Sequence, residues 1–151
     1  MSIRIACLTS VLALTAGSAL AEMNFNRIAS FETIRNMADG EDMGRESSAE
    51  IIDASADGMT LVYTDSPLGV VGRVDITDAK NPAPLGNTNV GGEPTSVTVI
   101  GNTAFVAVNT SESYTQPSGK LVSLDLATGE ITGTCDLGGQ PDSTAHNDEG
   151  T

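Results

Sequence analysis

Four carboxylates have the residue type and spacing that could build a cation site. Glu46, Glu50, Glu93 and Asp142 stand at or just before the first strands that we predict for three successive repeat units. Ca²⁺ takes six to eight oxygen ligands, and a bound cation can hold a phosphate group that a negatively charged protein would otherwise repel. The pattern therefore makes these four residues candidates for a Ca²⁺ site, although we favour a solvated polar rim that binds no ion.

Other catalytic chemistry has few residues to draw on. His146 is the only histidine, so a histidine-rich zinc site is excluded, and a Ser-His-Asp triad would depend on this residue alone. We interpret it as a histidine satisfied within a strand or turn. The sequence contains no G-x-S-x-G, HExxH or phosphate-binding G-x-x-x-x-G-K motif. Cys7 falls in a predicted signal peptide, and the strand pattern around Cys135 predicts a buried structural thiol. Catalytic residues therefore remain unassigned.

An internal repeat indicates the elements that must position these residues. The stretch "VGGEPTSVTV" at residues 90–99 is followed 47 positions later by "LGGQPDSTAH" at residues 137–146. Two glycines, a proline and a serine keep this offset, in the pairs Gly91/Gly138, Gly92/Gly139, Pro94/Pro141 and Ser96/Ser143. A fixed period in this range is typical of proteins that use one supersecondary unit several times. The chain is therefore predicted to contain the same unit at least twice.

Each unit is predicted to form four short strands in a meander. Runs of apolar and β-branched residues alternate with turns such as "ADG", where Gly58 can take a positive φ. The strand segments are AEIIDAS, MTLVYTD, GVVGRVDIT and PLGNTNV in the first unit, and TSVTVI, TAFVAVN, KLVSLDL and ITGTCDL in the second. Residues 109–119 form a polar loop that is long for a hairpin. It could line a binding surface, although we favour an ordinary solvated loop.

Four-stranded units with this period predict the blades of a β-propeller, an all-β fold. The predicted domains are a signal peptide at residues 1–21, a leading strand and loop at 22–43, blades at 44–93 and 94–140, and the start of a third blade at 141–151. Closed propellers use about four to eight blades. We therefore expect an incomplete, N-terminal part of a larger propeller.

The first residues and the charge bear on location and partners. Arg4 precedes an apolar run over residues 5–16, and Ala19-Leu20-Ala21 is a small-x-small cleavage site, so we predict a periplasmic or secreted protein. The formal net charge of −13 disfavours nucleic acid and membrane surfaces, since like charges repel. The expected partners are an unknown small-molecule or protein ligand, together with further blades or a second copy that covers open sheet edges.

Two segments carry a resemblance to a known family. Residues 45–51 read RESSAEI and residues 74–78 read VDITD, where a family of bacterial secreted β-propellers typically has Glu-Ser-x-Ala-Glu-Ile and VDI(T/S)D. The chain resembles this family over about residues 44 to 145. The resemblance implies a propeller fold. Members are frequently labelled alkaline phosphatase or esterase-like phytase domain proteins, and others carry surface-anchoring signals of the choice-of-anchor kind.

Two functions follow as expectations. The first is a ligand-binding or scaffold module, built on an exported acidic β-propeller fragment. The alternative is a metal-dependent phosphoester hydrolase of the alkaline phosphatase or phytase-like kind, in which the carboxylates would hold a metal that acts as a Lewis acid. Fold by itself does not determine function, so the presence of an enzymatic activity stays undecided at this point.

Overall fold

The computed structural model describes residues 26–147 and 149–150, which fold almost entirely as β-structure. The first sheet contains β1 (Ile52–Ala54), β2 (Thr60–Asp65), β3 (Val70–Asp75) and β4 (Ala83–Asn89). The second sheet contains β5 (Glu93–Ile100), β6 (Thr103–Asn109), β7 (Gly119–Asp125) and β8 (Ile131–Asp136). Each sheet is an open antiparallel meander whose strands lie in sequence order. The all-β prediction is confirmed, whereas the predicted signal peptide at residues 1–21 lies outside the described residues.

Tight turns at glycine join the first two strands of each sheet. Gly58, with φ of 70°, lies between β1 and β2, and Gly101, with φ of 62°, lies in the two-residue turn between β5 and β6. A side chain would be strained at positive φ, so glycine takes this conformation at the lowest steric cost. The turn residues thus set the register that places alternate side chains on a common face.

The core lies between the two sheets. In the second sheet Val97 pairs with Val106, and Val106 pairs with Val122, so all three side chains point to one face. These residues belong to one buried cluster with Val62 and Val71 of the first sheet. Burying a valine side chain of this kind contributes about 1.5 to 3 kcal/mol. Apolar alternation along the strands therefore joins the two meanders face to face.

One buried arginine connects the two sheets at the edge of this core. Arg73 of β3 is only 6% exposed. Its Nη1 donates to the carbonyls of Leu126 (2.7 Å) and Ala127 (3.0 Å), beyond β7, and its Nη2 donates to Leu85 of β4 (2.8 Å) and to Thr128 (3.2 Å). Burial lowers the pKa of Arg73, against the opposing influence of the Asp125 charge. The guanidinium thus fixes the β7–β8 turn against the first sheet.

The other face of the first sheet is covered by the leading segment. Residues 26–32 are irregular and Thr33–Asn36 form a 3₁₀ helix, so the predicted leading strand is wrong for the residues that the structure describes. The Asn36 amide group donates to Tyr63 Oη and to the Arg73 carbonyl, both at 2.9 Å, and accepts from the Gly86 amide at 3.0 Å. The segment packs on a face of the sheet, where it cannot form a ladder of backbone hydrogen bonds with a strand. Side-chain hydrogen bonds anchor it instead.

The connections that follow the last strand of each sheet have the same backbone geometry. The Val90 amide donates to the Gly69 carbonyl at 3.3 Å, and 47 residues later the Leu137 amide donates to the Gly119 carbonyl at 2.9 Å. Both connections then pass through a glycine pair, with Gly91 and Gly138 at φ of 67° and 68°. The sequence repeat is therefore also a repeat of backbone geometry.

Residues 141–147 lie against the edge of β5 without forming the strand that we predicted there. Thr95 Oγ1 donates to the Pro141 carbonyl at 3.0 Å, and Ser96 Oγ lies 3.0 Å from Thr144 Oγ1. Beyond this stretch, the Gly150 amide donates to the Asn147 carbonyl at 2.9 Å. Within the described part of the chain, no helix is long and apolar enough to cross a membrane.

Candidate functional site

A cleft of about 370 Å³ opens at the end of the second sheet where β5 starts and β6 ends. We call it the loop cleft. It is lined by Glu93 of β5, Asn109 of β6, Gln140, and the loop residues Ser111, Glu112, Ser113 and Tyr114. The loop between β6 and β7 covers residues 110–118 and supplies most of this lining. The site is therefore built by one loop on a strand framework.

The base of this loop is closed by four hydrogen bonds between its two ends. The Thr110 amide donates to the Ser118 carbonyl at 3.1 Å, and the Thr110 and Ser118 hydroxyls lie 2.8 Å apart. Ser111 Oγ donates to the Ser118 carbonyl at 3.1 Å and accepts from the Ser118 amide at 3.0 Å. These short polar side chains join the two ends of the loop where a ladder of strand hydrogen bonds would otherwise do so. The loop therefore has a defined shape.

The tip of the loop is a second tight turn that presents an aromatic ring. The Gln116 amide donates to the Ser113 carbonyl at 3.1 Å, and these two residues form an isolated β-bridge. Tyr114, inside this turn, has a relative exposure of 103%. A large aromatic ring held fully in water on an ordered turn offers contact area at little cost in conformational entropy.

A strand residue joins the loop to the sheet. Asn109 Nδ2 donates to Glu93 Oε2 at 3.0 Å, and Asn109 Oδ1 accepts from the Ser111 amide at 2.9 Å. The same amide group therefore orients a cleft carboxylate and the start of the loop. The Glu93 carboxylate on the cleft wall is thus oriented by a neutral amide and not by a positively charged side chain.

The four carboxylates predicted for a cation site are all exposed, and the structure engages them differently. Ser66 Oγ lies 2.5 Å from Glu50 Oε2 and 2.8 Å from the Pro94 carbonyl oxygen, and its single proton is shared between these two acceptors. Glu50 therefore lies near the start of β5. Glu93 is bound by Asn109, whereas Glu46 and Asp142 make no hydrogen bond or ion pair with the described residues.

These carboxylates are not assembled into a metal centre by the described residues. Across residues 26–147 and 149–150, no three His, Cys, Asp or Glu side chains lie close enough together to share a metal ion. Of the predicted set, Glu93 alone lines the loop cleft. The Ca²⁺ site thus stays a prediction from the sequence, and the arrangement of the described residues does not support it.

The two remaining candidates for chemistry lie elsewhere on the second sheet. His146 Nε2 lies 3.2 Å from the Val99 carbonyl, at the free edge of β5. Cys135 of β8 is exposed, so its prediction as a buried thiol is wrong. The predicted strand is present, and Cys135 pairs with Leu121 of β7, but β8 is exposed along most of its length.

The sequence indicates that residues 109–119 could line a binding surface, but it favours an ordinary solvated loop and gives no individual role to Tyr114 or Asn109. The available signal is an aromatic residue amid Ser, Glu, Thr and Gln, in a loop that is long for a hairpin. Solvated loops share this composition, so the pattern did not distinguish a binding loop from an ordinary solvated loop. The bond between Asn109 and Glu93 joins residues 16 positions apart and depends on the β5–β6 register.

Comparison with known proteins adds little to this geometry. No protein-family model matches the chain, and no curated protein matches it. Among solved structures, the crystal structure of a functionally unknown protein from Desulfotomaculum acetoxidans DSM 771 is similar, with a TM-score of 0.49 and 10% sequence identity. The match covers 62% of this chain and 28% of that protein. Similarity at this level carries no argument about function.

Proposed function

We propose that the two sheets are propeller-type blades and that the protein is an exported ligand-binding module, with the loop cleft as its binding surface. Two four-stranded meanders that pack face to face and repeat the same exit geometry support the blade assignment. In such folds the sheets supply a constant framework, and binding residues are carried by the loops between strands. The 110–118 loop is the part of the second sheet that fits this role.

The observation that carries the proposal is the full exposure of Tyr114 on a loop closed by four hydrogen bonds. Tyrosine side chains are enriched where proteins bind partners, because the ring buries a large area while few rotatable bonds must be ordered. A loop that is ordered before binding loses less entropy when the ligand arrives. The cleft therefore has the features of a preorganised binding site.

The charges of the cleft indicate what it binds. Glu93 and Glu112 line it together with the aromatic ring of Tyr114. Carboxylates make charge-assisted hydrogen bonds to ammonium and guanidinium groups, and an aromatic face attracts the same cations. The ligand that fits is a small molecule or peptide segment with an amino or guanidino group, and the protein's net charge of −13 would speed its approach.

The test is an NMR titration of the ¹⁵N-labelled protein with a pentalysine peptide at about 0.15 M salt, where long-range attraction is screened. We expect amide shifts concentrated in residues 109–118, and about tenfold weaker binding in Tyr114→Ala and Glu112→Gln. Glu130→Gln is the matched control, because Glu130 is an exposed glutamate in the β7–β8 turn that does not line the cleft.

Equal loss of affinity in Glu112→Gln and Glu130→Gln would show that the peptide responds only to the overall charge, and the proposal would then fail. Titration with pentaglutamate should leave the cleft amides unchanged. The phosphoester hydrolase alternative remains a prediction from the sequence, since no contact described above favours it.

A further inference from the structure

A second cleft, of about 360 Å³, lies between the leading segment and the first sheet. We call it the arginine cleft. Arg35, Glu41 and Arg45 line it from the part of the chain that precedes β1, and Gly86, Asn87 and Asn89 line it from β4. It shares no residue with the loop cleft. The two clefts therefore present different chemistry, and a ligand of one need not be a ligand of the other.

Two of the seven basic residues in the chain meet in this cleft. Arg35 Nη1 donates to the Pro82 carbonyl at 3.3 Å, and its guanidinium lies 5.0 Å from the centre of the Phe31 ring. The neighbouring Asn36, which is 3% exposed, anchors this part of the chain to the first sheet. Arg35 is therefore held in place by neutral groups, which leave its positive charge uncompensated.

Arg45 is exposed, and its guanidinium forms no hydrogen bond with any residue that the structure describes. Neither arginine forms an ion pair within residues 26–147 and 149–150, although Asp and Glu outnumber Lys and Arg by 20 to 7 in the chain. In so acidic a protein, two arginines that share a cleft and have no carboxylate partner offer donors to an external anion.

The opposite wall of the cleft offers neutral polar groups. Asn87 Oδ1 is buried and has no hydrogen-bond partner. Asn89 Oδ1 accepts from the Gly91 amide at 2.8 Å, which leaves the N–H groups of the Asn89 amide for another partner. A buried acceptor without a partner is uncommon in native proteins, and a donor on a bound molecule would satisfy it. A ligand with a hydroxyl or N–H group would therefore complement this wall of the cleft.

Glu41 is the one acidic side chain in the lining of this cleft. Its Oε2 accepts from the Ala38 amide at 2.8 Å, and the Glu41 amide donates to the Ala38 carbonyl at 3.1 Å, so the residue closes a turn of the leading segment. Its charge would repel an anion, and the two arginines outweigh it. Glu41 therefore lowers the affinity of the cleft for anions.

We propose that the arginine cleft binds a small hydroxylated oxyanion, with Arg35 and Arg45 on the anionic group and Asn87 Oδ1 on a hydroxyl. Phosphate and carboxylate groups share the geometry that guanidinium donors recognise. A sugar phosphate and a sugar acid both combine such a group with hydroxyls. The common chemistry is an oxyanion that carries a hydroxyl donor a few bonds away.

The experiment is a calorimetric titration of the 151-residue chain with glucose 6-phosphate, glucuronate and glucose at low salt. We expect binding of at least one of the two anions and none of glucose. Binding of glucose 6-phosphate alone would identify the anion as a phosphate ester, and binding of glucuronate alone would identify it as a carboxylate. If neither anion binds, or if glucose binds equally well, the proposal is wrong.

Charge variants locate the site. Arg45→Gln should weaken binding of the preferred anion at least tenfold, whereas Arg27→Gln should leave it unchanged, because Arg27 is exposed on the same segment and does not line the cleft. Glu41→Gln should strengthen binding. Equal effects of Arg45→Gln and Arg27→Gln would contradict the assignment. The exposed Arg45 is preferred to Arg35 here, since loss of the Arg35 contacts with Phe31 and Pro82 could also disturb the fold.

The hydroxyl contact has its own test. The preferred anion should bind more tightly than its analogue without hydroxyl groups, which is inorganic phosphate for glucose 6-phosphate and acetate for glucuronate. This ratio of affinities should fall toward one in Asn87→Ala. An unchanged ratio in that variant would overturn the role given to Asn87. Thermal unfolding of each variant without ligand shows whether a loss of binding reflects a loss of folded protein.

Discussion

The two sheets share one topology but are stabilised by different chemistry. Within the described residues, the first sheet and its leading segment bury four polar or charged side chains, and the second sheet buries one. The first set is Asn36, Thr64, Asp65 and Arg73, and the second is Ser96. The interior of the second sheet is otherwise built from residues such as Val106, Val122 and Leu124. One meander therefore depends on directional hydrogen bonds, and the other depends on apolar volume.

The sheets also differ in how their faces are covered. The first sheet is covered on both sides, by the second sheet and by the leading segment around Asn36. The second sheet packs on the first with one face, while a shallow depression on its other face is lined by residues that include Phe105, Leu121 and Cys135. A buried polar network requires coverage on all sides, because an uncovered hydrogen bond competes with water.

The equivalent loops show the same contrast. In the first sheet, β2 and β3 are joined by residues 66–69, where the Gly69 amide donates to the Ser66 carbonyl at 3.1 Å. In the second sheet, residues 110–118 replace this short turn and carry Tyr114. A repeated framework can thus keep its strands and change the length and composition of one loop.

The largest effect is expected from Arg73, which the comparison identifies as the link between the sheets. Arg73→Leu should lower the free energy of unfolding by about 4 kcal/mol, because carbonyls from both sheets lose their donor. Ser123 holds the equivalent register position in the second sheet, and Ser123→Ala should cost less than about 1 kcal/mol. Urea unfolding of both variants measures the difference. Similar losses would mean that the sheets are not stabilised differently.

A second test uses two leucines on opposite faces of β7. Leu124 is fully buried in the core, and Leu121 is half-buried in the depression on the other face. Leu124→Ala should cost about 3 kcal/mol through the cavity that it leaves, and Leu121→Ala about 1 kcal/mol. The same unfolding measurement applies. Equal costs would show that another part of the protein covers the outer face of the second sheet.

A third test concerns the polar side of the first sheet. Burial, aided by the charge of Asp65, raises the pKa of Tyr63 above its ordinary value of 10.0, although the Asn36 hydrogen bond acts in the other direction. The folded state therefore favours the neutral phenol, and the associated stability is fully present below pH 10.0 and declines as the pH rises above it.

Tyr63→Phe should remove this decline and cost about 1 kcal/mol at neutral pH, where the bond from Asn36 is lost. The free energy of unfolding at about pH 8 and about pH 11, measured in both proteins, provides the check. If the two proteins lose stability in parallel above pH 10.0, the Tyr63 phenol is not the group responsible.

The smallest effect is expected from Cys135. Its side chain is exposed on β8, so Cys135→Ser should change the free energy of unfolding by less than about 0.5 kcal/mol. A thiol reagent should modify the folded protein as fast as a short peptide thiol. Slow modification would mean that the outer face of the second sheet is covered in solution and would weaken the comparison.

Local sequence signals predicted most of the framework. The segments TAFVAVN and ITGTCDL correspond to β6 (Thr103–Asn109) and β8 (Ile131–Asp136), because period-two alternation and turn residues act within a few positions. The prediction for the leading segment was wrong, because Phe31 and Ile34 fit a strand and a short helix equally well. Only the Asn36 contacts with Tyr63 and Gly86 decide its conformation. Those partners are 27 and 50 residues away.

The candidate sites were less accessible to sequence reasoning. Glu93 was singled out as a carboxylate and does line a cleft, but beside Tyr114 and Asn109 and not with the other three predicted carboxylates. Arg45 and Asn87 meet only because the leading segment packs across the first sheet. Neither arrangement follows from spacing along the chain.

By itself, the sequence determined the strands, their turns and the repeat of two meanders, because alternation and glycine at positive φ act between near neighbours. Tertiary structure alone decided which faces are covered, which carbonyls Arg73 holds, and which side chains share each cleft. The physical reason is that burial and hydrogen bonding depend on groups brought together from distant parts of the chain. Arg73 and Leu126 are 53 positions apart in the sequence, and no local signal indicates the bond that joins them.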